Sequence, residues 1–231
     1  MKRFYREAAA VEGAVGWHVA LDGRLVKTQG GNVLALPNEA MAGLLAAEWA
    51  AQGEKLDPRG FSMRDLADYA IDVVATDRAA VVAALMRYAE TDTLCYRADP
   101  DEPLWKRQQA VWEPLLAACE TREGLRLQRV SGVIHRAQDA DALAVLGARL
   151  EALDPFTLAA LTTLASLAAS LVIGLAALEP EADGEALWNA ANLEEDWQAE
   201  LWGRDWEAEE RREKRKTDFL AAMRFAGARA A

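Results

Sequence analysis

The chain has 231 residues, enough for one large domain or two smaller ones with a substantial apolar core. Its formal net charge of -11 weighs against binding to nucleic acid or to an anionic membrane surface, since both need clustered Lys and Arg. The two cysteines, Cys95 and Cys119, have neither metal-binding nor redox spacing, so we expect both to be reduced. Because no signal peptide or Arg/Ser-rich presequence is visible, the sequence predicts a cytoplasmic protein.

The N-terminal part has the pattern of an antiparallel meander. Apolar residues alternate with small or polar ones from Val15 to Leu21, which is typical of a half-buried strand. Two short Gly-containing segments allow tight reversals of the chain. The predicted elements are a strand over 15–21, a turn at Asp22-Gly23, a strand over 24–28, a turn at Gly30-Gly31 and a strand over 33–36.

The remainder of the chain has helical spacing, so we predict an α+β fold with two domains. Residues 1–58 are expected to form a small N-terminal domain that contains the antiparallel sheet. Residues 59–231 are expected to form a mainly α-helical C-terminal domain, with a small hairpin near 125–136. The boundary is placed near Asp57-Pro58, where proline interrupts the helical pattern.

Local signals mark where several helices begin. Asn38 is placed as the N-cap of a helix that ends near Gly53. Ser62 and Asp65 have the spacing of a capping box, and Phe61 and Leu66 that of a hydrophobic staple. The helix that follows is expected to run to about residue 75, with Thr76 capping the next one. Farther along, Pro114 is expected to kink or split a helix.

The stretch Pro155–Leu178 contains no charged residue. Asp154 is placed as its N-cap, Pro155 at its first helical position, and Glu179-Pro180 as its end. It predicts one helix buried at the centre of the helical domain. A membrane-anchored assembly factor is the alternative, but the many Ala and hydroxyl residues and the acidic flanks favour burial in protein.

A search for catalytic groups gives weak candidates. His18 and His135 have no companions at metal-ligand spacing, so both are interpreted as structural. Asp92 could be a catalytic acid, but a helix cap or a buried pair with Arg97 is the preferred reading. Cys95 is read as a small buried apolar residue. The chain lacks a phosphate loop and a dinucleotide fingerprint, and we expect no cofactor and no metal.

The segment Asn192–Phe219 has two distinct faces if it is one helix. The first face suits packing on the core and comprises Leu193, Trp197, Leu201 and Ala208. The second combines large aromatics with carboxylates and an amide, and comprises Glu195, Gln198, Trp202, Trp206 and Glu209. Such a mixture is typical of a protein interface, although the two tryptophans could instead pack within the chain. Gly203 could bend the helix or admit a close neighbour.

Several motifs resemble those of the alpha-subunit assembly chaperones of F-type ATP synthase, in order and over nearly the whole chain. They are Lys2-Arg3-Phe4-Tyr5, Leu21-Asp22-Gly23-Arg24, Leu36-Pro37, Glu48-Trp49-Ala50-Ala51-Gln52-Gly53, Thr91-Asp92-Thr93-Leu94-Cys95-Tyr96-Arg97-Ala98, Arg107-Gln108, Trp112-Glu113-Pro114, Glu194-Glu195-Asp196-Trp197-Gln198 and Trp202-Gly203-Arg204-Asp205. The chain departs from the family pattern at Ala169, where Gly is expected, and at Thr93, where Leu is expected.

The resemblance implies a non-enzymatic bacterial chaperone that masks the free ATP synthase alpha subunit until the beta subunit joins. It places the family's functional acidic residue at Glu194-Glu195. The partner-binding residues predicted from the helical wheel and the resemblance together are Glu194, Glu195, Gln198, Trp202, Asp205 and Trp206. We expect the free chain to be a monomer that binds neither nucleic acid nor, by stable insertion, a membrane. The competing hypothesis is a carboxylate-dependent hydrolase that uses Asp92 or Glu195.

Overall fold

The computed structural model describes residues 1–132, 136–203 and 205–230. Within them the chain divides into two compact units. The first contains residues 1–78 and 154–160, together with those from residue 221 onward, and the second contains the intervening segments. The sequence places the boundary near residue 58, whereas residues 59–78 also belong to the unit that contains the sheet. Two later segments, 154–160 and the C-terminal one, belong to it as well.

The N-terminal sheet has three antiparallel strands in the order β1-β2-β3, and the α+β class is confirmed. The strands are β1 (Ala8–Glu12), β2 (Trp17–Leu21) and β3 (Arg24–Leu25). Asp22 and Gly23 both have positive φ, 47° and 79°, as the predicted two-residue hairpin turn requires. The predicted strand over 33–36 forms only isolated bridges, from Val33 to Lys27 and from Leu36 to Trp17. The third strand of the sheet is instead β1, which pairs with β2 on the side opposite β3 and which the sequence analysis did not predict.

Helix α1 (Glu39–Ala50) begins as predicted, because Asn38 Oδ1 accepts a hydrogen bond from Met41 N at 2.9 Å. Helix α2 (Ser62–Tyr69) continues through a π turn over Ala70–Val74. The predicted capping box is wrong, since Ser62 is already helical and makes no side-chain cap bond. Instead the Glu48 carboxylate, from α1, accepts hydrogen bonds from Met63 N (2.6 Å) and Arg64 N (3.0 Å). A long-range carboxylate therefore satisfies the free N–H groups at the start of α2.

Helix α3 (Arg78–Glu90) begins two residues after the predicted cap, Thr76. Helix α4 (Pro103–Glu123) runs through Pro114 without interruption, so the predicted split is wrong. Trp112 and Leu116 are fully buried on either side of Pro114, and this packing holds the helix together despite the missing N–H.

The predicted hairpin near 125–136 is not formed by the residues that the structure describes. Val133, Ile134 and His135 lie outside them. Strand β4 (Tyr96–Arg97) pairs with β5 (Val130–Ser131), and the pairing is parallel. The apolar Val130 is therefore buried against a segment more than thirty residues earlier in the chain, which no local pattern announces.

The remaining helices are α5 (Ala140–Glu151), α6 (Pro155–Ala168), α7 (Leu171–Ala176), α8 (Gly184–Ala191), α9 (Leu193–Trp202) and α10 (Trp206–Ala230). The predicted single helix over Pro155–Leu178 is therefore wrong, although its burial is confirmed. Ala169 has a φ of 49°, which ends α6, and Ser170 caps α7 by accepting a hydrogen bond from Ile173 N at 3.0 Å. None of the helices that the structure describes combines the length and apolar character needed to cross a membrane.

Asp92 holds the break between α6 and α7 in place. Its buried carboxylate accepts hydrogen bonds from Ser170 Oγ (2.7 Å), Val172 N (2.9 Å) and Leu94 N (3.0 Å). Burial raises the pKa of Asp92 to about 6, and these hydrogen bonds oppose that rise. The reading of Asp92 as a cap is confirmed, and the alternative pair with Arg97 is wrong, because Arg97 pairs with Glu113 at 3.2 Å.

The positive φ of Ala169 generates the first prediction. A Cβ in the left-handed region is strained, so Ala169→Gly should raise the free energy of unfolding by about 1 kcal/mol, or roughly 2–4 °C in Tm. The matched control is Ala168→Gly, one residue earlier in α6, which should lower the free energy of unfolding by a similar amount. Equal effects of the two substitutions in thermal unfolding would contradict the strained conformation.

Glu48 generates a prediction about pH. Burial raises its pKa to about 7, so between about pH 4.5 and 7 the folded state binds a proton that the unfolded chain releases. Stability contributed by Glu48 is therefore present at low pH and lost as pH rises through 7. Relative to Glu48→Gln, which cannot titrate, the unmodified chain should lose about 2 kcal/mol of unfolding free energy between pH 5 and 8. Urea titrations measure the unfolding free energy of both proteins. If the difference between them stays constant from pH 5 to 8, the raised pKa of Glu48 is refuted.

Candidate functional site

Helices α9 and α10 are two separate helices with Gly203 between them. Gly203 has a φ of 91°, which L-residues rarely adopt, and it ends α9. The segment predicted as one helix over Asn192–Phe219 is therefore interrupted, at the residue whose flexibility the sequence had indicated.

This interruption changes which residues face the core. Of the predicted core face, Leu193 is buried and Trp197 half-buried, whereas Leu201 and Ala208 are exposed. A helical wheel assumes one continuous axis, and that assumption fails after Trp202.

Trp202 and Trp206 project from the protein. Their exposed fractions are 78% and 72%, and Leu201 beside them is also exposed. The alternative in which both tryptophans pack inside the chain is therefore wrong. A large aromatic side chain left in water gives up the transfer free energy that burial would supply, about 2–3 kcal/mol for each ring. This surface is consistent with one that a partner covers.

The carboxylates of α9 have different partners. Glu194 Oε1 accepts a hydrogen bond from Gln108 Nε2 at 2.7 Å, and Asp196 forms a two-bond ion pair with Arg212 of α10. Glu200 accepts both Nη groups of Arg107, at 2.6 and 2.9 Å. Among the residues that the structure describes, the Glu195 carboxylate has no hydrogen-bond or ion-pair partner, and the side chain is exposed.

Helix α4 fixes α9 through the Arg107-Gln108 motif. Gln108 is fully buried and bridges two segments, since its Oε1 accepts from Ala98 N at 2.9 Å while its Nε2 donates to Glu194. The Arg107 guanidinium lies 5.7 Å from the centre of the Trp197 ring. Burial raises the pKa of Glu194, and the hydrogen bond from Gln108 opposes that rise. This support was missed by the sequence analysis, in which Arg107-Gln108 was only a family motif.

A groove of about 460 Å³ lies along α9 and the start of α10. Four of the predicted site residues line it, namely Glu195, Gln198, Trp202 and Asp205. The other two, Glu194 and Trp206, do not line it. The Glu194 side chain is hydrogen-bonded to α4 instead. Three arginines that the sequence analysis did not select also line the groove, namely Arg211, Arg212 and Arg215. The groove therefore combines an aromatic ring with the Glu195 carboxylate and three guanidinium groups, of which Arg212 interacts electrostatically with Glu195.

The candidate catalytic groups are enclosed. Asp92 is fully buried, and burial also raises the pKa of the Cys95 thiol to about 12, so the reading of Cys95 as a buried apolar residue is confirmed. His18 is buried with its Nδ1 3.0 Å from Leu34 O, as a structural histidine would be, while His135 lies outside the described residues. In the part of the chain that the structure describes, no group of three or more His, Cys, Asp or Glu could hold a metal ion.

Comparison with known proteins gives consistent results. Residues 2–120 match the family model described as ATP12 chaperone protein. The mitochondrial protein atp12 of Schizosaccharomyces pombe is 25% identical over 204 residues, which is 83% of this chain and 70% of that protein.

Solved structures of bacterial proteins extend the match over nearly the whole chain. Atp12 from Paracoccus denitrificans is 37% identical with a TM-score of 0.92, and the alignment covers 98% of this chain and 97% of that one. The Atu1473 protein from Agrobacterium tumefaciens is 38% identical with a TM-score of 0.94, covering 98% and 85%. Because the family model spans more than half of the sequence, the chain belongs to the ATP12 chaperone family, the ATP synthase assembly chaperones that its motifs resemble.

Proposed function

We propose that this chaperone binds the free alpha subunit of ATP synthase and covers its apolar interface until the beta subunit joins. An unassembled subunit exposes an apolar surface that would otherwise aggregate. A chaperone for such a surface needs its own exposed aromatic groups, and Trp202 and Trp206 provide them. In this proposal the chain acts as a monomer in the bacterial cytoplasm and uses no cofactor.

The observation that carries the proposal is the contrast between Glu195 and the other carboxylates of α9. Glu194, Asp196 and Glu200 hold the helix to α4 and α10. Glu195 lines the groove with Trp202 and, among the described residues, forms no hydrogen bond or ion pair, so that its charge acts on Arg212 only through space. A carboxylate that is pre-positioned on a fixed helix loses little conformational freedom on binding. It can accept a charge-assisted hydrogen bond that fixes the client's orientation while the ring supplies buried area.

The same geometry is compatible with release. An exposed carboxylate at the rim of an interface steers encounter and orientation more than it adds to affinity. Most of the binding free energy would come from a small number of aromatic contacts. A beta subunit that binds the same client surface over a larger area would then displace the chaperone.

Charge reversal at Glu195 tests the surface. Glu195→Lys should change the Tm by no more than about 1–2 °C, because the carboxylate forms no hydrogen bond or ion pair with the described residues and acts on Arg212 only through space. It should weaken alpha-subunit binding about tenfold or more. Glu195→Gln should have a smaller effect in the same direction. The measurements are thermal unfolding and the fraction of unassembled alpha subunit kept soluble.

Two control variants separate binding from folding. Glu90→Lys, at an exposed site at the end of α3, makes the same charge change away from the groove and should leave client protection intact. Glu194→Ala should lower the unfolding free energy by about 1–3 kcal/mol, because it leaves the buried Gln108 amide without its acceptor. If Glu195→Lys keeps as much unassembled alpha subunit soluble as the unmodified chain does, the proposed binding surface is wrong.

In this proposal the Trp202 ring supplies area that is buried against the client, and its replacement tests that contribution. Trp202→Ala should weaken client binding by about 2 kcal/mol or more, while Trp202→Phe should restore part of it. Neither change should lower the Tm, since the ring is exposed in the free chain. Titration calorimetry against purified alpha subunit measures the affinity of each variant, and an affinity of Trp202→Ala equal to that of the unmodified chain would show that the ring makes no contact.

A further inference from the structure

A second groove, of about 500 Å³, lies in the first unit, away in sequence from α9 and α10. Its base includes Trp49, which is 5% exposed, and the buried Tyr5. Two apolar side chains at its rim remain in water, Phe4 at 64% and Leu25 at 54% exposed. A buried aromatic base under an exposed apolar rim is the shape of a site that receives an apolar side chain.

The base of this groove contains a hydrogen-bond donor without an acceptor. Trp49 Nε1 is buried and has no hydrogen-bond partner among the residues that the structure describes, although the main-chain oxygen of Trp49 accepts Tyr5 Oη–H at 2.6 Å. The ring packs against Phe61 at 4.5 Å between centres and lies 5.1 Å from the Arg64 guanidinium. A buried N–H that lacks an acceptor costs about 1–3 kcal/mol, so a carbonyl or carboxylate arriving in the groove would relieve that cost.

The groove is positively charged on a protein whose net charge is -11. Arg24, Lys27 and Arg64 line it, and of these Arg64 is paired with Asp68 at 3.5 Å. Its acidic residue, Asp22, is already occupied, since it accepts hydrogen bonds from Arg6 N (3.1 Å) and Glu7 N (2.9 Å). Arg24 and Lys27 are exposed, and their side chains form no ion pair with any residue that the structure describes. The lining therefore favours an anionic partner.

The backbone at the groove is also suited to an extended segment. Both residues of β3, Arg24 and Leu25, line the groove, and β3 is an edge strand in the order β1-β2-β3. An edge strand presents N–H and C=O groups to which a further strand can bond.

From these features we infer that the first unit carries a second docking site, which binds an extended polypeptide segment in which acidic and apolar residues alternate. The apolar side chains pack between Phe4 and Leu25, and the carboxylates lie beside Arg24 and Lys27. This site shares no residue with the α9–α10 groove and does not depend on the proposed client surface there.

The probe is a fluorescein-labelled octapeptide of alternating Glu and Leu, titrated against the full chain in low salt and followed by fluorescence anisotropy. The control peptides alternate Lys with Leu and Glu with Ser. The Glu-Leu peptide should bind with saturation, and the two controls should bind at least about tenfold more weakly. Leu25→Ser and Lys27→Glu should each weaken the Glu-Leu peptide about fivefold or more, since both residues are exposed and their replacement leaves the fold intact.

Two further measurements localise the site. Lys55→Glu changes the net charge equally at an exposed lysine outside the groove and should leave peptide affinity unchanged. In nitrogen-15 spectra, the indole N–H peak of Trp49, identified by its loss in Trp49→Phe, should shift when the peptide saturates. An unmoved peak, or a peptide affinity in Leu25→Ser and Lys27→Glu that equals that of the unmodified chain, would overturn the inference. The inference would also be overturned if the chain bound no peptide but sedimented with phosphatidylglycerol vesicles, because the groove would then be a lipid site.

Discussion

The arrangement of the second unit depends on one buried carboxylate. Asp92 accepts hydrogen bonds from Ser170 Oγ, Val172 N and Leu94 N, and Thr93 reinforces the junction by donating its N–H and hydroxyl to Ala169 O. An uninterrupted helix would carry α7 onward along the axis of α6. The break instead lets α7 pack against α4, and α4 in turn packs against α9. The position of the client-binding candidate thus follows from an interaction far from it in sequence.

The acidic segment at the start of α9 places internally bonded and solvent-exposed carboxylates at consecutive positions. Glu194 and Asp196 point to internal partners, Gln108 and Arg212, and Glu195 between them faces solvent. Successive helical residues are separated by about 100°, so one short acidic run can serve folding and recognition at once. Stability and client binding are therefore expected to respond to different residues of the same motif.

Local chemistry predicted part of this structure. The Asn38 cap, the Asp154 cap and the Asp22-Gly23 turn each depend on residues within a few positions, and each is present. The cap from Glu48 and the parallel pairing of Tyr96 with Val130 join distant segments, so no local pattern could show them. At Ala169 the informative signal was the departure from the family's expected Gly, because the position has a positive φ that glycine adopts without strain. The exposed aromatic surface was identified from composition, but its separation from the core face required knowledge that Gly203 ends the helix.

Exposed tryptophans are an aggregation hazard, and the surrounding charges reduce it. The α9–α10 groove places Trp202 among carboxylates and guanidinium groups, so a second copy of the chain would have to desolvate these charges to bury the ring. The net charge of -11 adds long-range repulsion between copies. A client surface with complementary charges avoids both penalties. In the proposed function, the same side chains would both oppose association between copies of the chaperone and select the client surface.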